Sequence, residues 1–280
     1  MNEYLSYYGL EENLFNKGVG SETKYCSNDY RNVMGRLSYL KEIKGIGLFT
    51  GSPGLGKTYT LRCFVDSLNK DLYKVIYISP INLSKFEFFA NIAKQLNLNV
   101  GACYKDELYE NIKTEIKRLT LEQRISVIVI VDDAQNLNTK ILLDLKILFD
   151  FQMDSKDYTT IILCGHESLR LELSKIDYET LQQRVVVNYK YEGLSREEVK
   201  DYIKTRLELS KQKSDIFTDT ALNALYNASK GNPRRLNSLI INCLIIGYQN
   251  QKEIIDDGIV MMAKNEIDFM GGINGYSSNE

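Results

Sequence analysis

The sequence lacks paired cysteines and long hydrophobic runs, and each absence excludes a class of protein. The cysteines are odd in number and include no C-x-x-C pair, so neither a disulfide framework nor a zinc site is predicted. No apolar run approaches the roughly 20 residues that a membrane-spanning helix needs. The first residues also lack a basic stretch followed by an apolar core, so we expect no signal peptide and predict a cytoplasmic protein. The cysteines, expected to be reduced and mostly buried, are Cys26, Cys63, Cys103, Cys164 and Cys243.

A large excess of either charge is absent as well. The 280 residues include 35 Lys and Arg against 37 Asp and Glu, a formal net charge of −2. This balance does not indicate a strongly basic nucleic-acid-binding protein, although it leaves room for a local basic patch. Internal repeats and low-complexity segments are missing too, and the hydrophobic fraction of 44% is that of an ordinary globular protein. The length predicts one large domain or two of moderate size.

The most informative stretch is 51–58, which fits the phosphate-binding pattern G-x-x-x-x-G-K-[ST] at every fixed position. An apolar run before it predicts a buried strand, and apolar residues at helical spacing follow it. Glycines let backbone N–H groups surround phosphate oxygens, and the helix N-terminus attracts negative charge. Lys57 would reach the β- and γ-phosphates, and the Thr58 hydroxyl would hold Mg²⁺. The predicted nucleotide-contacting positions here are Gly51, Ser52, Pro53, Gly54, Leu55, Gly56, Lys57, Thr58 and Tyr59.

Strand-like apolar runs alternate with helical patterns over the first two thirds of the chain. The predicted strands are 45–50, 74–79, 125–131, 159–165 and a last one near 185–191. Helices are predicted near 28–44, 84–96, 106–119 and 139–151. This alternation predicts an α/β fold with a parallel sheet and helices on both faces.

From about Gly193 the pattern becomes entirely helical. Ser195 begins a helix with the S-x-x-E spacing of a capping box, and the break at 231–233 precedes another helix. The last helix is expected to end near Ile267. We therefore predict four segments: an N-terminal segment and helix over 1–44, a P-loop ATPase domain over 45–192, a small helical lid domain over 193–268, and a disordered tail over 269–280.

Two acidic residues end the most strand-like segment of the chain. In phosphate-loop ATPases a carboxylate at this place lies near the metal, so Asp132 is predicted beside Mg²⁺ together with Thr58. Asp133 follows where a glutamate commonly polarises the attacking water. Its side chain is shorter by about 1.5 Å, which predicts slow hydrolysis or a closer approach of the loop. An ordinary strand-end turn is the alternative for this pair.

Three more side chains become candidates beside a phosphate loop. His166, the sole histidine, follows a strand and would sense the γ-phosphate or orient water, although a packed or solvated histidine is the simpler explanation. Arg184 precedes the last strand and would stabilise transition-state charge in a neighbouring subunit, with a surface salt bridge as the alternative. Arg234 begins a helix of the lid and would reach the γ-phosphate of the nucleotide, coupling the angle of the lid to the nucleotide state. Arg235 faces another side of that helix.

With these residues in place, the chain resembles the AAA+ ATPases over residues 8–264. Within them it is similar to the ExeA-like ATPases and to transposition helpers of the TniB, TnsC and IstB type. The segments that carry the resemblance are 8–10, 51–58 followed by Arg62, 132–137, 142–152, 163–170, 181–184 and 231–237. Two departures are Asp133, where the family usually has glutamate, and His166, where it often has glutamine. Both bear on the rate of hydrolysis, and neither bears on nucleotide binding.

The resemblance implies an oligomeric Mg²⁺-dependent ATPase with an AAA+ fold. Secretion members of the group continue into a membrane span and a wall-binding domain, which are not found in these 280 residues, so the transposition helpers are favoured. Such helpers assemble on double-stranded DNA as a ring or filament with ATP and engage a transposase. The candidate DNA-contacting residues, which would equally suit a solvated helix face, are Lys85, Lys105, Lys113, Lys117, Arg118 and Arg124.

The leading hypothesis is therefore an ATP-dependent regulator of DNA transposition. One alternative is an ATPase that supports secretion or envelope assembly without binding DNA. The other is a nucleotide-gated scaffold that binds ATP and barely hydrolyses it.

Overall fold

The computed structural model describes residues 3–13, 15–16, 25–100, 105–149, 157–210 and 215–275. This part of the chain contains the five strands that the sequence predicts. They are β1 (Gly45–Thr50), β2 (Tyr73–Ile78), β3 (Ser126–Val131), β4 (Thr159–Gly165) and β5 (Val185–Lys190). Every neighbouring pair is parallel, in the order β2-β3-β4-β1-β5. The predicted α/β fold with a parallel sheet is confirmed.

Helices connect the strands and follow them. The helices up to the last strand are α1 (Glu3–Tyr7), α2 (Asn28–Ile43), α3 (Lys57–Asp66), α4 (Lys85–Gln95), α5 (Lys105–Leu121), α6 (Thr139–Asp144), α7 (Glu167–Leu173) and α8 (Glu179–Gln182). After it come α9 (Arg196–Leu209), α10 (Asp219–Ser229), α11 (Pro233–Gln249) and α12 (Asp257–Gly275). Among the described residues, no helix is both long and apolar enough to cross a membrane.

The central strands are buried on both faces, which explains their continuous apolar sequences. Every residue of β1 and β4 is buried, as is β3 from Val127 onward. Val129 and Ile161 from the strands meet Phe88 and Phe89 from α4 in one core, with no exposed surface on any of the four. Burying a side chain of this kind contributes about 1.5–3 kcal/mol. The helices on both faces follow from this, because a parallel sheet must bury both faces.

Contacts divide the chain into two compact units. The sheet unit comprises Tyr30–Pro53 and Lys57–Tyr191, and the helical unit comprises Met1–Asp29, Gly54–Gly56 and Glu192–Glu280. The carboxylate of Asp29 accepts hydrogen bonds from the backbone N–H groups of Glu192 (3.1 Å) and Gly193 (2.8 Å), which holds the first turn of α2 in the helical unit.

The helical unit has its own apolar core. Val199 of α9, Leu225 of α10, Leu236 and Leu244 of α11, and Val260 of α12 are all fully buried in it. Hydrophobic residues at helical spacing therefore face one another on four successive helices. Such a core lets this unit bury its apolar surface without help from a sheet.

Two predicted helix boundaries need correction. The last helix runs to Gly275, past the predicted end near Ile267, and residues 276–280 lie outside the described part. Glycine costs a helix only about 1 kcal/mol, so two glycines near its end do not stop it. The helix predicted over 139–151 ends at Asp144 and continues as a 3₁₀ turn over Leu145–Phe149, with the remainder outside the described residues.

Candidate nucleotide site

Apart from Arg184, the predicted site residues of the sheet unit follow three adjacent strands. The phosphate loop follows β1, Asp132 and Asp133 follow β3, and His166 follows β4. Parallel strands bring their carboxyl ends to one edge of the sheet, and ligands bind at that edge in open α/β folds. The order β3-β4-β1 therefore gathers residues that are distant in sequence.

The phosphate loop has the backbone that its glycines allow. Gly54 and Gly56 have φ angles of 88° and 85°, a left-handed region that other residues rarely adopt. Lys57 begins α3, and its ammonium group donates hydrogen bonds to the carbonyls of Gly51 (2.8 Å) and Ser52 (2.9 Å). The loop therefore curls around its own lysine at the N-terminus of a helix, where the helix dipole favours anions.

Thr58 and Asp132 form the pair that suits a magnesium ion. The Thr58 hydroxyl donates to Asp132 Oδ2 at 2.7 Å, and the Asp132 side chain is buried, with 3% of its surface exposed. Hydroxyl and carboxylate oxygens are the hard ligands that Mg²⁺ prefers. The described residues contain no cluster of three or more metal-binding side chains. Thr58 and Asp132 would supply oxygen atoms to the ion, and nucleotide phosphates and water would supply its other ligands.

Tyr77 is a site residue that the sequence does not reveal. Its hydroxyl donates to the same Asp132 oxygen at 3.0 Å. Burial, and next the charge of Asp132, raises the pKa of Tyr77 to about 12, so the phenol stays a proton donor at neutral pH. Tyr77 lies opposite Ile130 in the β2–β3 pairing. Only that register places its hydroxyl near the end of β3, and no spacing in the sequence signals it.

Asp133 has an exposed carboxylate on a constrained backbone. Its φ and ψ angles are 55° and 40°, in the left-handed region. Its backbone N–H donates to Asp132 Oδ1 at 3.1 Å, and its own Oδ1 accepts a hydrogen bond from Gln135 Nε2 at 3.2 Å. The structure thus places this short carboxylate at the carboxyl edge of the sheet and fixes its backbone direction.

His166 has a structural role as a helix cap. It is the N-cap of α7, and its Nδ1 accepts a hydrogen bond from the Ser168 N–H at 3.3 Å. In the neutral ring this leaves the proton on Nε2. The role predicted for His166, sensing phosphate or orienting water, would therefore fall to Nε2.

Arg184 lies away from the phosphate loop of its own sheet. Its carbonyl accepts a hydrogen bond from the Ile46 N–H at 2.9 Å, at the amino end of β1, whereas the loop follows the carboxyl end of that strand. Its guanidinium pairs with Asp157 at 3.1 Å. The structure does not bring Arg184 together with the other site residues of its unit.

Arg234 belongs to the helical unit, as do residues 54–56 of the loop. Its backbone N–H donates to the Gly54 carbonyl at 3.3 Å. A Cβ at Gly54 would lie 2.6 Å from the Asn232 side-chain oxygen, so this approach requires glycine. Arg235 is held by Asp268 at 2.6 Å, whereas Arg234 has no ion pair among the described residues.

Three of the six basic residues considered as DNA contacts have acidic partners. Lys85 pairs with Asp144, and Lys113 pairs with Glu110 at 3.2 Å. Arg118 donates two hydrogen bonds of 2.7 Å to the Glu115 carboxylate, and this carboxylate raises the pKa of the Arg118 guanidinium. The side chain of Lys105 lies outside the described part of the chain. These pairs are what a solvated helix face requires.

The sheet order and the phosphate-binding loop together identify the fold. A parallel sheet in the order β2-β3-β4-β1-β5, a phosphate-binding loop after β1 and a following helical region are the fold of the AAA+ P-loop ATPases. In line with this, the AAA domain family matches residues 41–173.

One curated relative is the General secretion pathway protein A of Aeromonas hydrophila. It is 28% identical over 269 residues, which are 94% of this chain and 48% of the relative. The chain thus spans about half the length of that protein. This similarity agrees with the ExeA-like part of the resemblance, and the narrower grouping with transposition helpers stays a prediction.

Solved structures share the fold at low identity. Cdc6p from Pyrobaculum aerophilum has a TM-score of 0.63 and 18% identity, covering 86% of this chain and 67% of that one. Drosophila ORC bound to DNA has a TM-score of 0.65 and 17% identity, covering 95% and 66%. The RuvB Holliday junction branch migration motor of Thermotoga maritima has a TM-score of 0.54 and 20% identity, covering 88% and 69%. At such identities the likeness concerns the fold alone.

Proposed function

We propose that this chain is a slow ATPase of the AAA+ type that binds ATP with Mg²⁺ at the phosphate loop. The observation that carries the proposal is the 2.7 Å contact between Thr58 and the buried Asp132, beside a loop that holds Lys57. When bound, Mg²⁺ would neutralise phosphate charge and be held by Thr58, with Asp132 beside it. Lys57 binds the β- and γ-phosphates, and the loop N–H groups orient them.

Asp133 is proposed as the group that accepts the proton from the attacking water. The water oxygen forms a bond to the γ-phosphorus while the bond from that phosphorus to the β–γ bridging oxygen breaks. The products are ADP and phosphate, and the water proton passes to Asp133. Because this carboxylate is about 1.5 Å shorter in reach than glutamate, turnover is proposed to be slow.

The first test compares Lys57→Ala with Lys70→Ala, an exposed lysine on the loop before β2. Lys57→Ala is expected to abolish turnover and weaken binding of a fluorescent ATP analogue, because it removes the charge that meets the phosphates. Lys70→Ala should match the wild type in both measurements. Retained turnover in Lys57→Ala would refute the site.

Asp133→Glu tests the reach of the carboxylate. We expect turnover at saturating ATP to rise severalfold, up to about 100-fold, with nucleotide affinity unchanged. The measurement is steady-state phosphate release, with Asp133→Asn as the variant that should lose it. A wild-type chain without turnover, even with a partner present, would favour the nucleotide-gated scaffold.

For the biological role, the comparison with General secretion pathway protein A supports the secretion or envelope alternative over transposition. We propose that the nucleotide state of this chain controls assembly of an envelope complex. The transposition hypothesis, with double-stranded DNA and a transposase as partners, has support only from the resemblance to the transposition helpers.

Binding to duplex DNA separates these two roles. Filter binding at low salt with ATP, ADP or no nucleotide should give no nucleotide-dependent retention if the chain serves envelope assembly. Retention that requires ATP and disappears with Lys57→Ala would instead favour the transposition regulator. A cytoplasmic location stays a prediction under either role.

Arg184 is proposed to act on the nucleotide of a neighbouring subunit in a homo-oligomer. Its position at the amino end of β1 supports action in trans, because its own loop lies beyond the other end of that strand. Arg184→Ala and Lys57→Ala should each be inactive alone and partly active when mixed. Asp157→Asn, which removes the ion-pair partner and keeps the arginine, is the control and should remain active. Full activity of Arg184→Ala alone would exclude this role.

A further inference from the structure

Gln135 joins two predicted site residues that come from different strands. Its side-chain oxygen accepts a hydrogen bond from the His166 backbone N–H at 2.9 Å. Its side-chain nitrogen donates to Asp133 Oδ1 at 3.2 Å. Chemistry determines the orientation of the amide, since a flipped amide would place its oxygen against a carboxylate and its NH₂ against an N–H group. Gln135 thus links the end of β3 to the end of β4.

The surroundings hold this amide in place. Gln135 lies in the 3₁₀ turn Ala134–Asn136, which is anchored by the fully buried Ala134. A Cβ at Gly165 would lie 2.5 Å from the amide oxygen and 3.3 Å from the Gln135 backbone nitrogen. The amide therefore fits closely over the last residue of β4, where only a glycine leaves room for it.

Asp133, by contrast, has little else to orient it. Its side chain is exposed, and among the described residues Gln135 makes the one side-chain hydrogen bond to its carboxylate. An exposed Asp carboxylate with free rotamers spends only part of its time in any one direction. Because the Gln135 amide is itself held by the His166 N–H, its hydrogen bond restricts the Asp133 side chain to fewer directions.

We propose that Gln135 is a positioning residue that aims the Asp133 carboxylate. It does so by a hydrogen bond from an amide fixed to the end of β4. This inference rests on the proposed ATPase function, because it concerns the residue that accepts the proton from water there. Gln135 acts through Asp133 and is given no contact with nucleotide.

The decisive variant is Gln135→Glu. It keeps the shape and the acceptor for the His166 N–H, but it cannot donate to Asp133 and adds a negative charge beside it. We expect turnover at saturating ATP to fall about 10- to 100-fold, because the carboxylate loses its direction. The KM for ATP, the affinity for a fluorescent ADP analogue and the melting temperature should stay close to wild type.

Asn136→Asp is the matched control. It makes the same amide-to-acid change one residue further along the turn, at an exposed position with no side-chain hydrogen bond among the described residues. Its turnover should equal that of the wild type. If Gln135→Glu lowers the melting temperature, Gln135→Met replaces it, since Met removes the donor without adding charge. It should show the same fall in kcat with unchanged nucleotide affinity.

The possible results distinguish a failure of the Gln135 proposal from a failure of the proposed ATPase function. Wild-type turnover together with unchanged kcat in both Gln135 variants would overturn the inference and leave the ATPase intact. An equal loss in Asn136→Asp, or a loss confined to nucleotide affinity, would also overturn it. A wild-type chain without any turnover would overturn both proposals at once.

Discussion

At the residue scale, Asp132 is the side chain on which the hydrogen bonds of the site converge. Thr58 and Tyr77 both donate to its Oδ2, and the Asp133 N–H donates to its Oδ1. Hydrogen bonds to an ionised carboxylate are stronger than those between neutral groups. Asp132 is therefore held in one direction, whereas Gln135 is the one side-chain donor to Asp133 within the described part of the chain.

His166 allows its structural and functional tasks to be separated. His166→Ala should lower the free energy of unfolding by about 1 kcal/mol, because the N-cap of α7 loses its acceptor. His166→Asn keeps a capping oxygen and should retain stability in chemical denaturation. If Nε2 also serves the nucleotide, His166→Asn loses turnover while it remains stable. Equal turnover in His166→Asn and wild type would leave the histidine as a helix cap.

At the scale of elements, α2 contains a glycine that no packing requires. Gly35 lies inside this helix, and no atom lies within 4 Å of the place where its Cβ would stand. Glycine lowers helix stability relative to alanine through the entropy of the unfolded chain. Gly47 of β1 differs, since a Cβ there would lie 2.4 Å from the Leu40 side chain of α2.

Replacing each of these two glycines by alanine is expected to change the free energy of unfolding in opposite directions. Gly35→Ala should raise the free energy of unfolding by about 0.5–1 kcal/mol. Gly47→Ala should lower it, because the buried Leu40 and Phe49 side chains must shift to admit the methyl group. Urea denaturation of the two variants checks both signs, and a stabilised Gly47→Ala would show that the packing of α2 on β1 is looser than described.

The first turn of α9 contains a capping motif that is visible in the sequence. Ser195 accepts a hydrogen bond from the Glu198 N–H at 3.2 Å, and the Glu198 carboxylate accepts one from the Ser195 N–H at 3.0 Å. Glu198 also accepts from the Asn28 N–H at 2.6 Å. The predicted capping box is present, and its acid additionally binds the start of α2 within the helical unit.

At the scale of the whole molecule, each unit has a core of its own, and the core of the helical unit includes Cys243 and Tyr8, whose pKa values are raised to about 12. Burial raises the pKa of Cys243 to about 12. Burial is also the largest cause that raises the pKa of Tyr8 to about 12. Both groups keep their protons in the folded chain at pH values where the unfolded chain has lost them.

Stability is therefore expected to fall at alkaline pH. The contribution of each group is intact below its unfolded pKa, about 9 for Cys and 10 for Tyr, and is lost as pH rises towards 12. The difference in unfolding free energy between wild type and Cys243→Ala, measured at pH 8, 10 and 11, should shrink by up to about 1.4 kcal/mol per pH unit above 9. A difference independent of pH would contradict a buried protonated thiol.

The sequence alone determined the elements and the phosphate loop. Strands buried on both faces must be apolar throughout, and a phosphate loop is contiguous, so both are visible in a local pattern. Asp132 followed from the same logic, because a carboxylate at the end of a buried strand lies at the edge where ligands bind. These predictions needed only the order of residues within single elements.

Only the tertiary structure decided which strand ends lie side by side and which side chains are in contact. Tyr77 reaches Asp132 across 55 residues, and Gln135 reaches the His166 N–H across 31. Such contacts depend on strand order and register, which are set by packing among distant segments and leave no local pattern. The same order put Arg184 at the amino end of β1, away from its own phosphate loop. Hence the loop was visible in the sequence, while the partners of its two carboxylates appeared only when the sheet was assembled.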